Sequence, residues 1–363
     1  MRSGFLALTL VVCLGASAAT AGAQPHIANA TLTKATVQGS LARTLDGIAA
    51  RGGVTWVGYA VPGNGAGSDA CCHAYRDRVL LSSCCTLERD VAKPSGTAPT
   101  AASGPPAPPR TVHLEPSPDV SVFIRFESGQ ANRIAAYGAD CDIDAGGRPV
   151  VWLTGVTPAE SLAWLTRPAS GAAGAPTDGA VTAIAFHADP AADGILETLA
   201  RTTTGRGMGV SAAFWLGAAR GSAGYAALVR LLSQITGDKA REQLVFALSI
   251  SKDERALGTL FDLAKHDTSP GTRGQALFWI GQKAGAKAAG TLTDAVANDP
   301  DTEVKTRAVF ALSQLPKDEG IPRLIDVAST NRNPAVRKQA MFWLGQSKDP
   351  RALAFFEEIL SRR

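Results

Sequence analysis

This sequence has little excess charge of either sign. Lys and Arg number 36 against 32 Asp and Glu, a formal net charge of +4 over 363 residues. The basic residues are scattered and no basic stripe interleaves with aromatics, which argues against a nucleic-acid partner. Long apolar runs are missing too. The one near the start, Phe5 to Leu14, is too short to cross a bilayer, so no transmembrane segment is expected. Histidine is scarce, and His113, His187 and His266 stand in different elements with no partner at a telling spacing. Gly-x-Ser-x-Gly, His-Glu-x-x-His, a phosphate loop and Cys-x-x-Cys are all absent. No catalytic, cofactor-binding or metal-ligating residue is therefore assigned, and no cofactor is expected.

What is present is a period. Phe214, Phe246, Phe278, Phe310 and Phe342 lie 32 residues apart without a slip. Two residues after each come Leu216, Leu248, Ile280, Leu312 and Leu344. Fourteen after come Leu228, Leu260, Leu292, Leu324 and Phe356, and three further on Leu231, Leu263, Ala295, Val327 and Ile359. Apolar residues at i and i+3 mark one helical face, so each unit reads as two short helices joined by a turn. A fixed period of this length is the signature of a solenoid. Ser269, Asp301 and Asn333 recur as caps of the first helices, with Pro270 and Pro334 at the first helical position. Asp189, Asp253 and Asp349 cap the second helices. Leu196 and Leu199 extend the period upstream, behind a degenerate first helix at Ala183, Ile184 and Phe186. Glu357, Glu358, Arg362 and Arg363 give a polar finish suited to the exposed end of a stack.

A second rhythm lies over the first. Trp215, Trp279 and Trp343 follow alternate Phe residues, while Ala247 and Ala311 follow the others; Gly217, Ser249, Gly281, Ser313 and Gly345 alternate in step. The unit of duplication is thus a pair of repeats. A large Trp meeting a small Ala in the next layer accounts for this by packing; a spaced row of aromatics on an exposed face is the functional reading. Two charged rows also recur: Arg241, Arg273, Lys305 and Arg337 on first helices, and Asp262, Asp294, Asp326 and Glu358 on second helices. They read either as an inter-repeat ion ladder or, for the acidic row, as the lining of a concave binding face. Trp215, Trp279, Trp343, Asp262, Asp294, Asp326 and Glu358 are accordingly the candidate binding residues of the repeat surface.

Phe342-Trp343-Leu344-Gly345 and Asp349-Pro350-Arg351-Ala352-Leu353, with Val336-Arg337 upstream, resemble bacterial HEAT repeats, nearest the short type labelled after phycobilisome lyases. The whole chain is similar to exported bacterial HEAT repeat domain-containing proteins with a Cys-containing N-terminal region. The resemblance implies protein–protein interaction. It carries no lyase activity here, since no chromophore-handling motif is visible.

The rest of the chain is organised around this array. Residues 1–23 read as a secretory signal, with Arg2 before the apolar run and Ala21-Gly22-Ala23 as a small-x-small cleavage site. An exported protein starting at Gln24, in the periplasm or outside the cell, is expected. Residues 24–168 form a small β-rich α+β domain, with strands at Val54 to Ala60, Val120 to Phe126, Arg133 to Tyr137 and Pro149 to Leu153 and a helix from Pro158. Within it, about 93–110 is a Pro/Ala/Thr-rich insert that cannot bury a core. Residues 169–178 are a linker and 179–363 the repeats, about six helix pairs. The fold class is mainly α: an α-α superhelix preceded by that domain.

Cys71, Cys72, Cys84, Cys85 and Cys141 all fall in the small domain. In an exported chain they are disulfide candidates, and an odd number leaves one thiol over or bonded between molecules. Zinc is the competing reading, with His73 nearby, although adjacent cysteines cannot easily bind one ion. Asp140, Asp142 and Asp144 before Gly146-Gly147 read as a solvated turn, with calcium as the alternative. Gly205 to Gly209 reads as a joint between repeats. The function expected is a non-catalytic scaffold or adaptor in the cell envelope that binds a protein partner along the solenoid. The alternative is a redox- or metal-dependent enzyme or regulator that uses the Cys-rich domain.

Overall fold

The computed structural model describes residues 24–66, 74–76, 79–82, 84–88, 117–171, 175–202 and 207–361. The N-terminal part holds β1 (Ile27–Ala28), β2 (Thr31–Thr36), α1 (Leu41–Ala49), β3 (Val54–Val61), β4 (Ala74–Arg76), β5 (Val79–Ser82), β6 (Cys84–Thr86), β7 (Val120–Glu127), β8 (Gln130–Gly138), β9 (Asp142–Asp144), β10 (Pro149–Thr154) and α2 (Pro158–Ala169). The insert expected at 93–110 lies outside the described residues, as does the signal segment.

The main sheet runs β2-β10-β3-β7-β8, and a smaller one runs β1-β9-β6. β10 lies parallel between β2 and β3, and β3, β7 and β8 are antiparallel neighbours. The strands expected at Val54, Val120, Arg133 and Pro149 are β3, β7, β8 and β10. The three central strands, β10, β3 and β7, are covered on both faces and so are apolar on both sides, whereas the edge strand β2 is largely exposed. Val57, Tyr59, Val122, Ile124 and Leu153 pack under Leu41, Leu45, Leu162 and Leu165 of the helices. Trp56, Phe123, Val150 and Trp152 pack against Cys85, Leu87, Cys141 and Ile143 of the small-sheet side. Gly58 permits this second core: a Cβ there would stand 2.8 Å from the Trp152 ring and 2.9 Å from Phe123.

The repeats follow as helix pairs: α3 (Thr177–Phe186) with α4 (Ala191–Thr202), α5 (Gly207–Ala219) with α6 (Gly221–Gln234), α7 (Asp238–Ile250) with α8 (Arg255–His266), α9 (Pro270–Ala284) with α10 (Ala289–Asn298), α11 (Thr302–Ser313) with α12 (Lys317–Thr330), and α13 (Pro334–Gln346) with α14 (Pro350–Ser361). First helices pack on first helices: α5 on α7, α7 on α9, α9 on α11 and α11 on α13. The caps stand where the sequence placed them. Ser269 accepts from Thr272 N–H, Asp301 from Glu303 and Val304 N–H, and Asn333 from Ala335 N–H. Asp253 and Asp349 accept from the N–H two residues on. Hydrogen bonds from Arg255 and Arg351 hold both carboxyls down at about 2.

The charged rows pair differently from the expected ladder. Arg241 and Arg273 bond to Asp267 and Asp299, which follow the second helices, and not to Asp262 or Asp294. Their guanidiniums also close the carbonyl end of the preceding second helix: Arg241 bonds Ile235 O (2.8 Å) and Arg273 bonds Asp267 O (2.9 Å). Lys305 bonds Ala297 O (2.9 Å) and Arg337 bonds Asn331 O (2.7 Å) in the same way. A cation at a helix C-terminus satisfies carbonyls that lack an intrahelical partner. The reason for the correction is reach: a first-turn arginine faces the loop ends of the stack, whereas Asp262, Asp294 and Asp326 stand exposed midway along the second helices.

The stack is fused to the sheet. α3 lies on β8 so closely that a Cβ on Gly179 would stand 2.0 Å from Ile134 O. Ala188 N–H bonds Pro62 O (2.9 Å) and Asn64 N–H bonds Phe186 O (3.0 Å). One hydrophobic core runs from Leu41 to Phe355 without a break. At the other end, Glu357 and Glu358 of the expected polar finish are exposed and Arg362 and Arg363 lie outside the described residues; Leu353 and Leu360 are 62% and 80% exposed beside them.

Candidate functional site

The 32-residue period places each Phe at the same angle on successive first helices, so the side chains of neighbouring helices meet. Phe214 and Phe246 stack at 6.3 Å, and Phe278 and Phe310 stack at 5.8 Å with ring planes 8° apart. The tryptophans fill the other intervals. Trp279 lies 5.3 Å from Phe246 and 4.8 Å from Phe278; Trp343 lies 4.8 Å from Phe310 and 5.0 Å from Phe342. Trp215 joins Phe214 to Phe186 at 5.0 Å each. The result is an unbroken chain of aromatic rings from Phe186, which is buried, through half-buried rings along the first-helix layer to Phe342, which is 52% exposed. Ring pairs at these separations hold one another beyond their area of burial.

Each tryptophan leans back on the Phe of the preceding repeat. The Ala of the following repeat approaches the glycine instead: a Cβ on Gly217 would stand 2.1 Å from Ala247 O, and one on Gly281 3.0 Å from the Ala311 Cβ. The Trp/Ala alternation is thus a packing device and an aromatic surface at once. The indole N–H groups of Trp279 and Trp343 are buried without an acceptor.

Polar rows flank the rings, and sequence reasoning missed them. Gln243, Gln275, Arg307 and Gln339 stand three residues before successive Phe residues. Gln282, Gln314 and Gln346 stand four after, exposed, and Gln282 donates to Gln314 at 3.5 Å. The same 32-residue register that exposed the apolar rows would have exposed these. Arg307 crosses α9 where Gly274 leaves room (a Cβ there would meet Arg307 Cδ at 2.6 Å) and reaches Glu242 of α7 at 4.0 Å. Between α11 and α13 a groove of about 540 Å³ is lined by Arg307, Phe310, Lys338, Gln339 and Phe342.

The other sequence candidates disperse. Asp262, Asp294, Asp326 and Glu358 are exposed on the second helices, apart from the aromatic chain on the first; Asp294 accepts from Asn298 at 2.7 Å. Cys71 and Cys72 lie outside the described residues, as does the Cys84 side chain. Strand pairing sets Cys84 beside Asp142, the residue after Cys141, and Cys85 beside Ile143, and Cys85 and Cys141 are buried. Asp140 accepts from Ser117 N–H and Asp144 from Gly146 N–H, both at 2.8 Å, so these carboxylates brace turns. His113 and the start of the 205–209 glycine run also lie outside the described residues. Glu88, which the sequence did not single out, accepts from Trp56 Nε1 (2.8 Å) and Arg125 Nε (3.0 Å). Burial would raise its carboxyl, but these bonds and Arg148 hold it lowered.

A family model described as HEAT repeats matches residues 289–363. The chain carries HEAT repeats. No curated protein matches it. Among solved structures, the complex of CpcE and CpcF of phycocyanin lyase from a Nostoc species is 25% identical over 43% of this chain and 99% of that one, with a TM-score of 0.33. Human deoxyhypusine hydroxylase in complex with glycerol is 20% identical over 55% and 78%, TM-score 0.26. The Escherichia coli protein YibA is 16% identical over 56% and 77%, TM-score 0.33. The matched HEAT segment contains α10 to α14; upstream of it the basic row carries the same unit to α7 and the aromatic row to α5. No described helix is long and apolar enough to cross a membrane.

Proposed function

We propose that this is an exported, non-catalytic scaffold that binds a protein partner across the first-helix layer of its HEAT repeats. The observation that carries the reading is the aromatic chain with its glutamine borders. Half-exposed rings supply apolar contact area at low side-chain entropy cost, and each carboxamide offers both a donor and an acceptor, so the layer suits a polypeptide. The β-rich domain fixes one end of the array, with disulfides among its five cysteines and one thiol left over or bonded between molecules; the pairing of β6 with β9, which brings Cys84 and Cys85 beside the Cys141 strand, supports that part.

Site-specific photo-crosslinking in the native host tests the proposal. A benzophenone side chain replacing Gln275 or Gln339 is expected to give discrete adducts in the envelope fraction, whereas one replacing Asp262 or Asp326 gives none. Adducts from the acidic row alone would move the binding surface to the second helices, and adducts from neither would sink the scaffold reading. N-terminal sequencing of the protein recovered from that fraction is expected to begin at Gln24; an uncleaved start at Met1 would sink the export.

A further inference from the structure

The grooves between first helices differ in charge, and the two-repeat rhythm lets two of them be compared position by position. The α7–α9 groove carries Glu242, Gly271, Gly274 and Gln275. The same positions of the α11–α13 groove hold Thr306, Ala335, Lys338 and Gln339. The first groove is bridged from within. Glu242 lies over Gly271, where a Cβ would meet its Oε1 at 2.7 Å, and Arg307 lies over Gly274, where a Cβ would meet its Cδ at 2.6 Å. Their charged ends stand 4.0 Å apart. A cation from the neighbouring helix thus reaches across small residues to the carboxylate of the groove. The second groove is open, and its charge is reversed. Arg307 and Lys338 line its volume of about 540 Å³ together with Phe310 and Phe342, and no carboxylate of the described residues does. Lys338 is exposed, and among the described residues it makes no ion pair and Gln339 makes no hydrogen bond.

Given the scaffold reading, on which this rests, we infer that the α11–α13 groove takes an acidic–apolar segment of the protein partner. An Asp or Glu carboxylate lies against Lys338 and Arg307, and an adjoining apolar side chain lies on the rings of Phe310 and Phe342. Charge complementarity selects that occupant, and the bridge across α9 shows the same device inside the chain: a charged side chain reaching its opposite across the layer. Arg307 can turn to such a group, because its 2.7 Å bond is to Glu303, which is 72% exposed, and a surface pair of that kind holds weakly. Gln339 offers a donor and an acceptor to the backbone of the segment. A basic segment would set like charges together. A nucleic-acid strand needs cations along its whole track, and the α7–α9 groove presents Glu242 instead.

Fluorescence anisotropy of two labelled peptides on the full-length protein tests this. One is Ser-Asp-Leu-Glu-Phe-Ser-Gly; the other replaces its Asp and Glu by Asn and Gln. The acidic peptide is expected to bind saturably and about tenfold tighter than the amide form, and added salt is expected to narrow the difference. Lys338→Glu is expected to abolish the preference with the melting of the protein unchanged, because Lys338 is exposed; Lys338→Arg is expected to keep it. No binding, equal binding, or a preference that Lys338→Glu leaves intact overturns the inference, as does displacement of the acidic peptide by a thymidine oligonucleotide. The scaffold reading answers to a separate measurement, the crosslinks from Gln275, which does not line this groove. Adducts there without a peptide preference retain the scaffold and remove only the acidic partner.

Discussion

Replacing Arg273 with alanine is expected to destabilise the protein by about 3–5 kcal/mol, the scale for removing one partner of a buried ion pair. Arg273 and Asp299 are both largely shielded from water and joined by two hydrogen bonds of 2.8 and 2.9 Å. Burial would raise the Asp299 carboxyl, but the Arg273 guanidinium and the Asp301 N–H hold it below its ordinary value. Without the arginine a carboxylate is left in the interior with its charge uncompensated. The carbonyls of Asp267 and Thr268 also lose their donor, so the loss spreads to the junction between α8 and α9. Urea denaturation measures the global effect, and hydrogen exchange is expected to rise first in α8, α9 and α10, since contacts in a solenoid are confined to neighbouring repeats. Arg273→Lys is expected to cost less: it keeps the charge but not the two-pronged geometry. Arg273→Met with Asp299→Leu is expected to recover most of the loss, because no unpaired charge then remains. A single alanine variant within 1 kcal/mol of wild type (about a fivefold change in the folding equilibrium) would show the staple to be ornamental.

Lowering the pH from 7 to 4.5 is expected to remove most of about 3 kcal/mol of stability through His187 alone. His187 lies fully buried between α2, α3 and β3, and its Nδ1 meets Ala183 O at 2.7 Å. A carbonyl can only accept, so Nδ1 carries the proton and Nε2 accepts from Ser161 Oγ at 2.9 Å. Ser161 Oγ in turn accepts from the Tyr59 hydroxyl at 2.8 Å, a phenol whose pKa burial pushes up. A second ring proton could be accepted only by turning both hydroxyls round, so that Ser161 Oγ accepts from the ring and donates to Tyr59, and burial disfavours the charge itself. Burial, with a smaller contribution from Arg220, outweighs the hydrogen bond to the Ala183 carbonyl and the charge of Asp189 and lowers the imidazole from 6.5 to about 4. The unfolded chain therefore binds a proton between 6.5 and 4 that the folded chain refuses. Stability is full above the unfolded value and falls as the pH drops through that window, levelling below about 4. The Asp253 and Asp349 carboxyls, held at about 2, do their titrating lower down. Urea midpoints at pH 7 and 4.5 measure the slope, and His187→Gln is expected to flatten it while lowering stability at pH 7. An equal slope in that variant would assign the acid sensitivity elsewhere. The Tyr59–Ser161–His187 arrangement resembles catalytic machinery in composition, but all three side chains are sealed at the joint between sheet and stack, where they lock α3 onto the first domain.

The amino-acid sequence determined the architecture of the repeats by itself, because helix pairs at a fixed period depend on local signals. An apolar face at i and i+3, a cap at Ser269, Asp301 or Asn333 and a proline in the first turn are each read within a few residues. The two-repeat rhythm was equally legible in Trp215, Trp279 and Trp343. What only the tertiary structure decided is which groups meet across repeats. The partners of Arg241 and Arg273 are Asp267 and Asp299 because the first-turn arginines point at the loop ends, a direction that spacing does not encode. His187, read in isolation, had no partner at a telling spacing; Ser161 and Tyr59 reach it from 26 and 128 positions upstream because α2, α3 and β3 pack together. The aromatic chain likewise exists only once first helices lie side by side, since a 32-residue interval says that two rings are equivalent, and only packing brings them to within 5–6 Å.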